Sequence, residues 1–456
     1  MPIASMSATS GVRRVSLSFI CLALLVALLT MAGGASRPDA LGQIVVRAGA
    51  ATLLAIWLAL VPWPIRIARA PLIIVGLAIL LVAVQLIPLP PSLWSALPGR
   101  ALLLDAARIA GEPQPWRPLA MVPSEAVNAL FSLSIPLVAV LFAGACQPRE
   151  QRFVLIALIV AIGLSAFVEL AQIAGSGFSN PFVNGRPGQF GGLIANRNHQ
   201  ALLLAIGCAA VPVWAMSPAR SSAWRPWAAL AGVMLLVLLI VATGSRAGLM
   251  LGLLALVLTP ATLGLKRQIL RGDGLRRHRW LLGAIAVTLV ALIGLALWAG
   301  RSESFDRLRD MDTSADMRVL GLPLVLDLVR QHGLFGSGFG SFDTLFRSAE
   351  PFELLKPTYF NHAHNDVLEV AMNGGLPGMA LVAGALIWAA LRSMRIWRTT
   401  APLGRLGAII ILLVLMASLF DYPARTPIVM TILVIAAVWM AGNEPSPPRR
   451  STLTRP

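Results

Sequence analysis

The chain has 456 residues, of which 57% are hydrophobic and only 12% are charged. A soluble globule of this length needs far more polar surface than such a composition supplies, which excludes a water-soluble protein and predicts lipid surroundings. A formal net charge of +17 is also compatible with a nucleic-acid partner, and the position of the charges along the chain decides between the two interpretations.

Apolar runs of membrane-spanning length recur along the chain and predict an all-α integral membrane protein of about 12 transmembrane helices. These runs cover residues 15–33, 47–63, 71–88, 126–145, 153–174, 198–216, 227–243, 247–265, 280–299, 367–391, 407–420 and 426–442. Arg13 and Arg14 precede the first run and small residues follow it, so a cleaved signal peptide is the alternative interpretation there.

Basic residues concentrate in alternate connections between the predicted helices. With the N-terminus inside, the cytoplasmic segments hold 21 of the 37 basic residues and only three of the 20 acidic ones. This is the positive-inside pattern of a multi-pass inner-membrane protein, so no nucleic-acid partner is needed to explain the charge.

The longest outside segment is a large periplasmic loop between predicted helices nine and ten. We therefore divide the chain into an N-terminal transmembrane bundle (1–299), this loop (300–366) and a C-terminal part with three helices and a cytoplasmic tail (367–456). Apolar residues at helical spacing predict a helix from Asp316 to His332. The glycine-dense turn after it, Gly336 to Phe342, is either a weak phosphate-cradling loop or a simple return to the bilayer.

Histidine is the side chain that exchanges protons near neutral pH, and His364 lies on the outer side immediately before predicted helix ten. The structural alternative is a polar helix start in which Asn365 or Asp366 caps the first turn. A metal site formed by His362, His364 and Asp366 is a further alternative if the segment is extended.

Three arginines also lie at outer helix edges. Arg246 occupies the very short turn between predicted helices seven and eight, Arg318 opens the helix of the large loop, and Arg197 precedes predicted helix six. Each could be a solvated or snorkelling side chain, but cations in short outer turns suggest an anionic ligand. Glu169 lies well inside an apolar run, and Arg47 is a candidate partner for it.

These residues form a pattern that resembles the O-antigen ligase and polysaccharide polymerase superfamily. His364-Asn365, nine further residues and Gly375-Leu376-Pro377-Gly378 are similar to its histidine motif. The other matching segments, between about residues 185 and 380, are Asn196 to Ala201, Gly244-Ser245-Arg246, and Arg318 followed by Gly336-Ser337-Gly338.

The resemblance implies a periplasmic-face glycosyltransferase that needs no metal and no cofactor. It would move a glycan from an undecaprenyl-diphosphate carrier to a hydroxyl of a glycan or lipid A-core acceptor, and it leaves room for polysaccharide-export partners. His364 would be the catalytic general base, and the substrate-binding residues would be Arg246, Arg318, Arg197, Asn365 and Asn198.

Three rival interpretations stay open at this level. A lipid-linked glycan flippase or other transporter can have the same number of helices, although transporters usually show internal repeats and broken helices near the midplane. A non-catalytic scaffold of an export complex is the second rival. Within the enzyme class, ligation, repeat-unit polymerisation and protein O-glycosylation differ only in the acceptor.

Overall fold

The computed structural model describes residues 15–65, 67–185, 189–216, 223–262, 317–355, 360–399 and 401–442, and almost all of its regular structure is helical. The N-terminal helices are α1 (Leu17–Ala32), α2 (Leu41–Leu60), α3 (Arg69–Gln85), α4 (Pro91–Ser95), α5 (Ala101–Ala110), α6 (Pro123–Ser132), α7 (Ser134–Ala145), α8 (Gln151–Ile173), α9 (Arg197–Ala215), α10 (Arg225–Ala242) and α11 (Arg246–Thr262). The remaining helices are α12 (Met317–His332), α13 (Phe342–Ala349), α14 (Asp366–Trp397), α15 (Pro402–Ser418) and α16 (Pro427–Ala441).

Six of the described helical segments are long and apolar enough to cross a membrane: α2, α6 with α7, α8, α9, α10 and α14. Five shorter apolar helices, α1, α3, α11, α15 and α16, coincide with further predicted runs. The predicted run at 280–299 lies outside the described residues, as do residues 300–316 of the large loop. The described part of the chain therefore agrees with an all-α membrane protein, while the number of 12 spans stays a prediction.

Helix α9 is the centre of the bundle and packs against α8, α10, α11 and α15. Small residues allow this close packing: a Cβ added at Gly207 would lie 2.8 Å from a Leu236 methyl and 2.9 Å from an Ile162 methyl. Small residues at such positions let transmembrane helices approach closely. Helix α1 also packs within the bundle, where Leu25 and Leu29 are fully buried.

One end of the bundle is tied together by backbone hydrogen bonds between distant segments. Ile428 N donates to Gly33 O at 3.2 Å, and Ala195 N donates to Gly34 O at 3.0 Å. Because the helices alternate in direction, the start of α9, the α10–α11 turn and the α15–α16 connection all meet at this same end.

The two-residue strands β1 (Pro88–Leu89) and β2 (Arg117–Pro118) pair in antiparallel register and close the segment that carries α4 and α5. Arg100 ties this segment down, because its Nη2 donates to Leu119 O at 2.6 Å. The His332 ring, at the end of α12, packs against Gly99, where an added Cβ would lie 1.9 Å from the ring. Both Arg100 and His332 are only 2% exposed.

The predicted helix Asp316–His332 is confirmed as α12, and the glycine-dense turn that follows it docks against a break in α14. Helix α14 is interrupted at Gly375, which has a φ of 58° and a ψ of −154°, a conformation that favours glycine. Backbone groups of the turn bond to this break: Ser337 N donates to Met372 O at 2.9 Å and Gly338 N donates to Asn373 O at 3.0 Å. Phe339 N donates to Gln85 Oε1 at 3.0 Å. These N–H groups already bond to protein oxygens, which argues against the phosphate-cradling interpretation.

Candidate active site

A buried carboxylate, Asp421, forms the centre of the candidate site. It lies in the connection between α15 and α16, and its side chain is only 4% exposed. His199 Nε2 lies 3.6 Å and His364 Nδ1 lies 3.3 Å from Asp421 Oδ1. One carboxylate oxygen therefore faces two imidazoles that are 165 positions apart in the sequence.

The other oxygen of Asp421 binds the start of α9. Asn198 Nδ2 donates to Oδ2 at 2.6 Å and Asn196 Nδ2 donates to it at 3.2 Å. Asn196 also caps α9, because its Oδ1 accepts a hydrogen bond from Asn198 N at 2.8 Å. The cap fixes the direction in which this segment leaves the helix, so both amides reach the carboxylate.

The turn between α10 and α11 joins the same cluster. Ser245 Oγ donates to Asn198 Oδ1 at 2.8 Å, which places the adjacent Arg246 at the edge of the cluster with an exposed side chain. The predicted tight hairpin between these helices is confirmed, because α10 ends at Ala242 and α11 begins at Arg246.

Arg318 reaches the cluster from the first turn of α12. Its Nη2 lies 3.6 Å from Asp421 Oδ2, and its side chain is 38% exposed. The guanidinium is therefore held by the buried carboxylate on one side while part of it stays accessible. A planar cation in this arrangement is suited to bind phosphate oxygens.

His364 is held in an unusual backbone conformation between Phe360 and Tyr422. Its φ of 50° is the only positive φ of a non-glycine residue in the described part of the chain. Its ring contacts Tyr422 edge-on with centroids 5.0 Å apart and Phe360 with centroids 5.5 Å apart. With Nδ1 facing Asp421, the Nε2 atom points away from the carboxylate, and the side chain is 20% exposed. Strained backbone of this kind persists where the surrounding contacts fix it, and it is frequent at functional sites.

The charges around Asp421 keep it ionised. Burial alone would raise the pKa of its carboxyl group, but hydrogen bonding to His199 and His364 and the charges of these two imidazoles hold that pKa well below its usual range. Burial and the neighbouring Asp421 charge raise the pKa of Tyr422 to about 12, so its hydroxyl stays protonated near neutral pH. A buried carboxylate beside one nitrogen of a histidine orients the ring and stabilises its protonated form.

A second network lies on the other side of Tyr422. The centroids of the Tyr422 and His362 rings are 4.4 Å apart. The buried Glu369 accepts hydrogen bonds from His362 Nδ1 at 3.0 Å and from Ala363 N at 2.9 Å. Arg425 Nη2 lies 3.2 Å from Glu369 Oε1, and Arg425 Nε lies 3.3 Å from Asp366 Oδ1. The segment around residues 361–366 is thus fixed by two separate acid–histidine contacts.

The metal-site alternative does not match this geometry. His362 contacts Glu369, His364 contacts Asp421, and Asp366 accepts hydrogen bonds from Ser418 Oγ at 2.8 Å and Ala424 N at 3.3 Å. The three side chains thus have three different sets of partners.

The remaining sequence-predicted residues have the following positions. Asn365 caps α14, with its Oδ1 accepting from Val367 N and Leu368 N at 3.0 Å, and its Nδ2 donates to Leu419 O at 3.0 Å. This is the helix-cap alternative, while substrate binding by Asn365 stays a prediction. Arg197 begins α9 and is partly buried.

The expected Arg47–Glu169 pair is not formed. Arg47 donates to Asn128 Oδ1 at 2.7 Å and to Gln43 Oε1 at 3.2 Å. Glu169, which is fully buried, instead accepts a hydrogen bond from Gln200 at 2.8 Å. The two residues lie on different helices whose contacts the sequence alone does not reveal.

Sequence reasoning missed Asp421 and Tyr422. The available signal was the short polar stretch Asp421-Tyr422-Pro423-Ala424-Arg425 between two apolar runs, on the predicted outer side. Acidic and aromatic side chains in such a short turn indicate a role beyond connecting two helices.

A family model matches the part of the chain that carries three of the site residues. Residues 230–383 match the family model described as O-Antigen ligase, and this range contains Arg246, Arg318 and His364. The match confirms the resemblance to the O-antigen ligase and polymerase superfamily. No curated protein matches the chain. Asn198 and Asp421, which complete the cluster, lie outside the matched range.

Proposed function

We propose that this protein, whose residues 230–383 match the O-Antigen ligase family model, transfers a glycan from an undecaprenyl-diphosphate carrier to an acceptor hydroxyl at the periplasmic face of the inner membrane. The family match supports, in general terms, a membrane enzyme that transfers glycans. The carrier, the roles of the residues and the side of the membrane are the proposal. The positive-inside distribution of basic residues supports the periplasmic assignment.

The reaction needs a cationic site for the leaving diphosphate. Arg318 and Arg246 supply this charge, with Arg197 as a third candidate at the start of α9. Guanidinium groups keep their charge and bind phosphate oxygens in bidentate fashion. Fixed cations near the developing charge lower the barrier without reorganisation during the reaction.

The acceptor hydroxyl must lose a proton as its oxygen attacks the anomeric carbon. His364 accepts this proton at Nε2, while Asp421 beside Nδ1 stabilises the resulting imidazolium. The new glycosidic bond forms as the bond to the carrier phosphate breaks, so the diphosphate leaves with the electron pair. Such a direct displacement inverts the configuration at the anomeric carbon.

One observation carries this proposal: a single buried carboxylate contacts three motif segments that are far apart in the sequence. Asp421 lies 2.6 Å from Asn198, 3.3 Å from His364 and 3.6 Å from Arg318. A histidine and an arginine thus share one anchor, which supports a site where a base and a phosphate-binding cation act on the same substrate.

The decisive experiment uses the full chain in proteoliposomes with a lipid-linked glycan donor and separate acceptors: free glycan, lipid A-core and protein. We expect product with one acceptor class and a fall of about 10²- to 10⁴-fold for His364→Ala. Arg330→Ala is the matched control, because Arg330 is exposed on the surface of α12 and pairs with the nearby Asp327. Only the acceptor that yields product distinguishes ligation, polymerisation and protein O-glycosylation.

The same proteoliposomes test the main alternative, a lipid-linked glycan flippase. A flippase would move the donor across the bilayer, and His364→Ala would leave this movement intact. Translocation that persists in that variant, without glycan transfer by the unaltered protein, would refute the proposal.

A further inference from the structure

A cavity of about 600 Å³ is bordered by the 361–366 segment but not by the residues of the Asp421 cluster. Its walls come from α2, α3, α6, α13, α14, α15 and α16, together with the α1–α2 connection, the turn before α13 and the α15–α16 connection. His362, Asp366, Glu369 and Arg425 line it, whereas His364, Asp421 and Arg318 do not. Its volume is within the range of pockets that bind small molecules.

The end of the cavity nearest the Asp421 cluster is polar but carries no excess of positive charge. Five carboxylates line it, Asp39, Glu125, Asp343, Asp366 and Glu369, against three arginines, Arg37, Arg47 and Arg425. The arginines are already engaged: Arg37 pairs with Asp39 at 2.6 Å, and Arg425 contacts Asp366 and Glu369. This balance disfavours a phosphate and suits a neutral headgroup with many hydroxyls.

The rest of the cavity is apolar and extends into the bundle. Its lining there comes from Leu81 on α3, Leu381 and Val382 on α14, Val414 on α15 and Leu433 on α16. Asp366 and Val382 are 16 residues apart on α14, which is on the order of 20 Å along a helix. The cavity is therefore polar at one end and apolar over the length of a short alkyl chain.

His362 supplies an unused hydrogen-bonding atom at the polar end. Its Nδ1 bonds to Glu369, and its Nε2 has no hydrogen-bond partner among the described residues. The side chain is 14% exposed and lines the cavity, but the Nε2 atom itself has almost no accessible surface, so a small rotation of the ring brings it into the cavity. A buried polar group without a partner is costly unless a ligand or ordered water meets it.

We propose that this cavity binds an amphiphile with one alkyl or prenyl chain and a neutral sugar headgroup, and that the His362 ring rotates slightly so that its Nε2 bonds to a headgroup hydroxyl. Glu369 orients His362 and is a positioning residue. The site is separate from the arginines that would hold the diphosphate. The binding itself does not depend on the proposed function.

The test uses the full chain in phosphatidylcholine nanodiscs and a dodecyl maltoside whose alkyl chain carries a photoreactive diazirine. We expect adducts on the lining of α14, α15 and α16. Unlabelled dodecyl maltoside should compete at least about tenfold better than dodecyl phosphate, because the polar end disfavours an anion. Equal competition by the phosphate, or adducts confined to the outer surface, would overturn the proposal.

Two variants and a control locate the ligand. Leu381→Trp fills the apolar part and should reduce labelling about tenfold, while Ile387→Trp, at a residue of the same helix that is 60% exposed, should not change it. His362→Gln should weaken competition by the maltoside about tenfold without affecting the phosphate, because a site built for a hydroxyl loses that bond. If Leu381→Trp does not fold, Leu433→Phe replaces it. Unchanged labelling in a folded cavity-filling variant contradicts the site.

The same labelling in His364→Ala separates this inference from the proposed function. Labelling that persists without any glycan transfer in the unaltered protein would retain the site and reject the transferase. Transfer without specific labelling would retain the transferase and reject the site.

Discussion

The most informative perturbation of the candidate site is Asp421→Asn. The amide keeps the size and planarity of the side chain, so one oxygen can still accept hydrogen bonds from Asn196 and Asn198. It removes the negative charge that lies 3.3 Å from His364 Nδ1 and 3.6 Å from Arg318. The change therefore tests the charge of Asp421 more than its packing.

The expected magnitude follows from the distance to His364. A unit charge 3.3 Å from the imidazolium formed during the reaction contributes about 5 kcal/mol at an effective dielectric constant of about 20. This value is a ceiling, because the oxygen of the amide dipole still faces the ring. We expect the turnover rate to fall by about three orders of magnitude, since each factor of ten corresponds to about 1.4 kcal/mol.

The assay measures initial rates of glycan transfer in proteoliposomes, with folding checked by gel filtration and thermal unfolding. Tyr422→Phe is the matched control in the adjacent residue, because it keeps the ring that contacts His364 and removes only the hydroxyl. Asp421→Asn that folds and retains more than a tenth of the normal rate would refute the role of its charge. A loss that only follows the amount of folded protein would reduce Asp421 to a structural residue.

Three further predictions concern the surroundings of the site. Arg318→Ala should lower kcat/KM for the lipid-linked donor about 10- to 100-fold by removing a charged hydrogen bond, whereas Arg330→Ala should leave it unchanged in the same assay. Burial and a neighbouring arginine lower the pKa of His332 to about 4, so protonation of this ring favours the unfolded state. Up to about 3 kcal/mol of the free energy of unfolding should therefore be lost as the pH falls from about 6.5 to about 4. Thermal unfolding between pH 7.5 and 4.5 checks this, and His332→Phe should flatten the profile; an unchanged profile would contradict it. Gly338→Ala should reduce the free energy of unfolding by at least about 2 kcal/mol, because Gly338 has a φ of 97° and the added Cβ would lie 2.5 Å from the Cα of Ala120. Normal thermal unfolding of the variant would contradict this.

The two acid–histidine contacts on either side of Tyr422 face different surroundings. Asp421 with His364 faces the arginine-bearing segments, and Glu369 with His362 faces the cavity. The ring of Tyr422 contacts both histidines, with centroids 5.0 Å from His364 and 4.4 Å from His362.

Local sequence alone indicated the long apolar helices of the described residues and the motif segments. A transmembrane helix must satisfy its backbone hydrogen bonds internally and present apolar side chains over its whole length, so each one is visible as a continuous run. The helical spacing of apolar residues in α12 and the short turn before Arg246 are equally local and were predicted correctly. The motif around His364 was recognisable for the same reason, because its residues are close together in the chain.

Only the tertiary structure decided which side chains share a partner. Asp421 accepts hydrogen bonds from Asn196 and Asn198, more than 220 positions away, and nothing in its own turn specifies those contacts. The pairing of Glu169 with Gln200, in place of the expected Arg47, was decided in the same way by how helices pack. Helix formation depends on neighbours along the chain, whereas the electrostatic environment of a buried charge depends on helices that meet in space, and a single sequence does not encode that meeting in any local pattern.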